Sequence, residues 1–392
     1  MRGIARASFC GALLLATVGV TTAPTSAAPA QASPAPAAAP SGLATATDQI
    51  IVHFADEDRP DASGLRGLAG ERVDVVRQMG DGSWVIKLGD KYSPSATAAL
   101  AKSWAAKPGV AYAEPDARQF ASFTPNDTLY PQQWDMQAVT AGSYGANLPS
   151  AWDITTGSAS AITAVLDTGY LDHADLAGRF VGGYDLISDT QVSNDGNLRD
   201  SDAHDPGDWI TEAEDASGFF AGCGVSNSSW HGTHVSGTIA ANGNNAAGVA
   251  GIAWGSKVLP VRVLGKCGGY ISDIADGIRW AAGLSVSGVP ANTNVAKVIN
   301  MSLGGSGACG TTYQTAIDAA TAAGTLVVVA AGNENDDVSN HRPGNCNNVL
   351  AVAATNQPGN RSYYSNYGAG VDIAAPGGAS GTDTMILSTL NN

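Results

Sequence analysis

Three side chains of this 392-residue sequence combine the type and the setting needed to move a proton and to stabilise a developing charge. His231 stands in Ser228-Ser229-Trp230-His231-Gly232-Thr233-His234, at the mouth of a helix predicted over 231–241. An imidazole titrates near neutrality, so it can take a proton from a hydroxyl nucleophile and return it to a leaving amine. Gly232 and Gly237 let another backbone approach that helix closely. Asp167 closes the apolar run Ala161–Leu166 and opens Asp167-Thr168-Gly169, where a carboxylate could fix the tautomer of an imidazole and offset its charge. Asn333 ends Val328-Val329-Ala330-Ala331-Gly332-Asn333, and its amide N–H is a donor suited to an oxyanion. Taken singly, each has a plain structural alternative: a packed histidine, a turn-capping aspartate, a turn-forming asparagine.

Two other chemistries use parts of this set. Asp-Thr-Gly also marks aspartic peptidases, but those need two facing carboxylates in an all-β frame, and the sequence holds one copy. His231 and His234 could serve a metallopeptidase, although His-Gly-Thr-His is not His-Glu-x-x-His and no third ligand stands out. His234, one helical turn on, is expected to be a packing residue.

The elements that must position these residues are legible from residue 150 onward. Ala161–Leu166, Lys257–Leu264, Ala296–Met301, Thr325–Ala331 and Val349–Ala354 are apolar runs without alternation, as expected of strands covered on both faces. Helices are predicted at 231–241, 272–282 and 312–323, with Gly283 and Gly324 placed to end the last two in the left-handed conformation. This alternation predicts a doubly wound α/β domain with a mainly parallel sheet and helices on both faces. Sites in such sheets gather at the carboxyl ends of strands, where Asp167 and Asn333 both fall. Ser302-Leu303-Gly304 and Gly268-Gly269 also follow strands and could expose backbone to an extended peptide.

The first half of the chain differs. Arg2 and Arg6 precede an apolar run too short to span a bilayer, then small residues, which reads as a secretory signal peptide over residues 1–32. An Ala/Pro-rich linker follows over 33–47. Over 48–120 the pattern predicts a small α+β unit: strands at 50–54, 73–78 and 83–88 around Gly80-Asp81-Gly82, a helix at 96–106 and a last strand at 110–114. The net charge of -15 argues against nucleic acid, which needs clustered Lys and Arg, and suits an exported soluble protein. No stable membrane association is expected. Beyond Cys10 the cysteines are Cys223, Cys267, Cys309 and Cys346, an even number in an oxidising compartment. Three pairings are open; Cys223–Cys267 with Cys309–Cys346 is the favoured one. The acidic stretch 189–215 could hold cations, but is expected to be a solvated loop.

Together and in this order, the motifs at Asp167, His231 and Asn333 resemble the subtilisin family of serine peptidases. The resemblance implies a subtilisin-like fold over 121–392, with Asp167 orienting, His231 as general base and Asn333 in the oxyanion hole. It further implies that 302–304 and 268–269 flank the substrate, and that Ala330 to Gly332 help wall the primary specificity pocket. The 48–120 unit resembles the inhibitory propeptide of exported members, a ferredoxin-like domain whose tail, about 113–122, would block the cleft. Cleavage between about 118 and 128 would release it. The resemblance also implies a structural calcium held by Asp127, Asp175 and Asn245, with carbonyls from Asn242, Ala247 and Val249. Protein or peptide substrates, the chain's own propeptide as inhibitor, and an extracellular location follow from it.

The family's serine sits in Gly-Thr-Ser-Met-Ala, after Asp and His in chain order. No such motif occurs here, and Gly381-Thr382-Asp383-Thr384-Met385 carries aspartate at the serine's place. The expectation is therefore an incomplete peptidase sequence whose nucleophile lies beyond Asn392. The alternative is a catalytically dead peptide-binding protein of the same fold.

Overall fold

The structure is a computed structural model and describes residues 47–55, 73–89, 92–117, 123–379 and 385–391. The predicted signal peptide, most of the predicted linker, segments 56–72 and 118–122 around the propeptide-like unit, and 381–384 of the serine-like motif lie outside the described residues. The chain forms two compact units.

The N-terminal unit is a four-stranded antiparallel sheet. Its strands are β1 (Gln49–Phe54), β2 (Val73–Gln78), β3 (Trp84–Leu88) and β4 (Val110–Pro115), in the order β2-β3-β1-β4. That order is the split arrangement expected of a ferredoxin-like domain. The hairpin between β2 and β3 turns at Gly82, whose φ of 88° few other residues tolerate. The helix Pro94–Ala105 begins where Ser93 Oγ accepts a hydrogen bond from the Ala96 amide at 3.3 Å. Its Ala101 and Trp104 pack with Ile50, Val52, Val73, Ile86 and Leu88 into a small core.

The larger unit contains a seven-stranded sheet, in which every strand pair is parallel. Its strands are β5 (Ile162–Asp167), β6 (Tyr184–Asp185), β7 (Lys257–Arg262), β8 (Val298–Met301), β10 (Leu326–Ala330), β12 (Leu350–Thr355) and β13 (Ile373–Pro376). A short antiparallel pair, β9 (Gly305–Ser306) and β11 (His341–Arg342), stands apart. The order β13-β12-β10-β8-β5-β7-β6 reverses direction at β5, as a doubly wound sheet must. Alternate residues of β5 serve opposite faces. Ala164 and Leu166 join Ile278, Ala281 and Ile317 from the helices Ile271–Ala281 and Gly310–Ala322. Val165 instead packs with Val258, Val235, Ile239 and Ala240, burying the helix His231–Ala240 on the other face.

The predicted helices and long strands are present, with ends displaced by one or two residues, and Gly283 and Gly324 are left-handed at φ 80° and 90°. The strand predicted over 257–264 stops at Arg262 because the amides of Val263 and Leu264 both turn to the carbonyl of Asp167, at 2.9 and 3.1 Å. β6, β9, β11 and β13 are two to four residues long and give no periodic signal.

Candidate active site

Asp167 is the last residue of β5 and His231 the first of its helix, so the sheet and the helix that covers it bring the two together. Asp167 is fully buried, and both its carboxylate oxygens face His231 Nδ1, at 2.8 and 2.9 Å. The Thr168 amide also donates to Asp167 Oδ1 at 2.8 Å. Such contacts favour the N–H at Nδ1 and leave Nε2 as the basic nitrogen. The negative charge of Asp167 pushes the His231 pKa up to about 9, against the opposing effect of burial and with further help from Asp208 and Asp205. The imidazole still has 45% of its side-chain surface open, so one edge faces outward.

Close approach of the two segments depends on Gly232, where a Cβ would overlap the carbonyl oxygen of Gly169. His234 points elsewhere: its Nε2 lies 3.3 Å from the Ile386 carbonyl oxygen, and burial lowers its pKa. A ring nitrogen against a carbonyl must carry the proton, so that nitrogen is no metal ligand.

Sequence reasoning missed the groups behind this pair. The stretch 189–215 is solvated only in part: Asp202 and Glu212 are exposed, but other carboxylates turn toward partners. Asp205 is buried, accepts from Thr168 Oγ1 at 2.6 Å, and has its pKa raised by burial. Asp208 accepts from the amide and hydroxyl of Ser229, at 2.6 and 2.7 Å. Asp195 pairs at 2.8 Å with Arg262, which is buried beneath the turn after β5, donates to the Thr168 carbonyl at 3.1 Å and also pairs with Asp185. Partners, not solvent, hold these charges; Asp-Pro-Gly-Asp at 205–208 was the one turn signal that could have flagged them.

Asn333 follows β10 by three residues and is exposed, with Gly332 before it at φ 113° and its own amide donating to Glu334 Oε2 at 2.9 Å. Ser302 comes directly after β8 and accepts from Asn300 Nδ2 at 3.0 Å; Leu303 is half-buried and Gly304 exposed. Ala330 ends β10 and is half-buried, as is Gly332. Gly268 bonds both its amide and its carbonyl to Gly265, at 3.1 and 2.9 Å, in a tight turn, and Gly269 follows it directly. Cys223 joins Cys267, with Cα atoms 5.7 Å apart, and Cys309 joins Cys346, at 5.1 Å.

Asp127 and Asp175 are both buried near the loop 242–249. Asp127 Oδ2 accepts from the Asn244 amide at 2.6 Å, but its Oδ1 is buried with no protein partner. Burial raises its pKa, and the neighbouring Asp175 charge adds to that. Asp175 accepts from Asn245 Nδ2 and from the Val249 amide, each at 2.8 Å, and Asn245 Oδ1 accepts from the Ala247 amide at 2.8 Å. The Asn242 amide donates to the Asp175 carbonyl at 2.7 Å. The orphaned carboxylate oxygen beside a second buried carboxylate is the feature here that a hard divalent cation would satisfy; the other contacts of the pair are N–H donors.

Comparison with known proteins agrees with this geometry. The chain is 48% identical over 336 residues to an extracellular protease of Xanthomonas campestris pv. campestris, covering 85% of this chain and 56% of that protein. It is 44% identical over 338 residues to an extracellular basic protease of Dichelobacter nodosus, covering 84% and 53%. It thus spans about half the length of these curated relatives. Among solved structures it is similar to a protease from Pseudoalteromonas arctica, with a TM-score of 0.62, 52% identity, and 69% and 80% of the two chains covered. Residues 158–392 match the model of the subtilase family, Peptidase_S8. With the parallel sheet and the Asp167–His231 pair in the matched region, the chain belongs to the subtilase family.

Proposed function

We propose that this chain is the precursor of a secreted serine endopeptidase. Residues 1–32 are its signal peptide, 33–47 a linker, 48–120 an inhibitory propeptide and 121–392 peptidase domain, with the nucleophilic serine supplied C-terminal to Asn392. The observation that carries the reading is the alignment of buried Asp167 on His231 Nδ1 at 2.8 and 2.9 Å. That contact prepares Nε2 to act as a base.

In this mechanism Nε2 of His231 takes the proton from the serine hydroxyl as its oxygen attacks the peptide carbonyl carbon. Asp167 stabilises the imidazolium, and the Asn333 side chain donates a hydrogen bond to the oxyanion. The imidazolium passes the proton to the leaving amine as the C–N bond breaks, giving an acyl-enzyme. Water, deprotonated by the same nitrogen, then attacks the acyl carbon, and as the ester bond breaks the imidazolium returns the proton to the serine oxygen and the acid leaves. Ser302 to Gly304, Gly268, Gly269, Ala330 and Gly332 border the cleft. Asp127, Asp175 and Asn245, with carbonyls of Asn242, Ala247 and Val249, would hold calcium, which when bound would neutralise the paired carboxylates. Substrates are proteins or peptides, and the location is extracellular.

The test is secretion of the full-length protein and assay on a denatured protein substrate, alongside Asp167→Asn and His231→Ala. Hydrolysis that both substitutions reduce by about 10⁴-fold or more supports the reading. Peptide binding without hydrolysis by the unsubstituted protein would establish the peptide-binding alternative instead.

A further inference from the structure

The helix that carries His231 starts without a cap of its own. Trp230, the residue before it, is left-handed at φ 50° and makes no side-chain capping bond. The first two helical amides are instead held from outside. The His231 amide donates to Ser229 Oγ at 3.3 Å, and that hydroxyl donates to Asp208 Oδ2 at 2.7 Å. The Gly232 amide donates to Thr168 Oγ1 at 3.1 Å, and that hydroxyl donates to Asp205 Oδ2 at 2.6 Å. Both carboxylates come from one turn, Asp205-Pro206-Gly207-Asp208, which is itself closed by the Gly207 amide on Asp205 Oδ1 at 2.8 Å. Thr168 also reaches forward, its amide holding Asp167 Oδ1.

We infer that Asp208 through Ser229, and Asp205 through Thr168, are positioning residues that set the first turn of the histidine helix and with it the line from Asp167 to His231. The inference rests on the proposed peptidase function but concerns different residues. A left-handed tryptophan does not hold a helix start by its own preference, so the surroundings must over-determine it. Orphan amides at a helix start are met by hydroxyls, and hydroxyls are fixed most firmly by charged acceptors. The titratable groups facing His231 are Asp167 from β5, Asp205 and Asp208 from the turn, and His234 from its own helix, while Arg262 faces Asp205. Asp208 therefore acts both as an anchor and as a negative charge.

Two variants of the full-length secreted protein separate these effects. Ser229→Ala removes the hydroxyl link and leaves the charge. It should lower kcat by about ten-fold or more with KM within about two-fold, and leave the acid limb of the kcat/KM profile in place. Asp208→Asn keeps a partial clamp and removes the charge. It should move the acid limb to lower pH by a few tenths of a unit, a shift that shrinks at high salt. Unchanged kcat in Ser229→Ala, with only a lower Tm, would overturn the inference and leave these bonds merely structural, whatever the acid limb does in Asp208→Asn. If the unsubstituted protein hydrolyses nothing, the peptidase reading fails, and the NMR signal of the His231 Nδ1 proton in Ser229→Ala decides this inference alone. A signal moved upfield, the mark of a weakened bond to Asp167, supports it, and an unchanged one overturns it.

Discussion

Asp167 presents both carboxylate oxygens to His231 Nδ1, at 2.8 and 2.9 Å, from a fully buried position. The buried anion pushes the imidazole pKa up to about 9. A general base must be neutral to accept a proton, so activity should climb with pH well past the ordinary histidine value and level off on the alkaline side. Asp167→Asn should bring the acid limb down toward that ordinary value while lowering kcat by about 10⁴-fold. A pH–kcat/KM profile of both proteins checks this, and a limb centred near pH 6.5 in the unsubstituted enzyme counts against it.

The same pair makes stability depend on pH. His231 has its pKa raised in the fold, so its contribution is fully present below the unfolded histidine value and is lost as pH rises through about 9. Denaturant unfolding at about pH 6 and about pH 10 should therefore show a difference that is smaller in His231→Gln. Equal pH dependence in the two proteins contradicts the assignment.

Asn333 is exposed just beyond β10, where its side chain is free to meet an oxyanion. Asn333→Leu should reduce kcat by about 10²–10³-fold with little change in KM, a magnitude that was measured for this kind of donor in subtilisin itself. Steady-state kinetics suffice, and a defect confined to KM would assign Asn333 to substrate binding instead.

How much of this was legible in the sequence depends on whether a feature is local. Asp167 could be placed because it closes an apolar strand, and His231 because small residues and glycines mark the start of its helix. The partner of Thr168 lies 37 residues away, in a loop whose acidity looked like solvation; no periodicity reports such a pairing. Gly268 shows the same limit: two glycines after a strand suit an exposed edge, and nothing local announces the tight turn that bonds both backbone groups of Gly268 to Gly265.

Asp127 Oδ1 is buried without a protein partner beside Asp175, so calcium should stabilise the fold. At calcium about 100-fold above its Kd the gain is about 2.7 kcal/mol. For a domain of this size that corresponds to a Tm rise of about 5–10 °C. Asp127→Asn should remove most of the difference between Tm values measured with calcium and with chelator. A Tm indifferent to calcium in the unsubstituted protein argues against the site.

The disulfides Cys223–Cys267 and Cys309–Cys346 close loops of 44 and 37 residues. Replacing either pair by serine should cost about 2–4 kcal/mol, read as a lower denaturation midpoint. Because Cys223–Cys267 joins the loop before His231 to the Gly265–Gly268 turn, its removal should also raise KM for extended peptides more than removal of the other pair. Equal kinetic effects of the two replacements would disconnect that bridge from the cleft.

The most direct measurement is covalent labelling of the full-length, secreted protein with a sulfonyl fluoride, followed by peptide mapping. The account predicts a single labelled serine C-terminal to Asn392, at a rate that collapses in His231→Ala and in Asp167→Asn. Hydrolysis without any labelled serine, or labelling that is indifferent to His231, would contradict it.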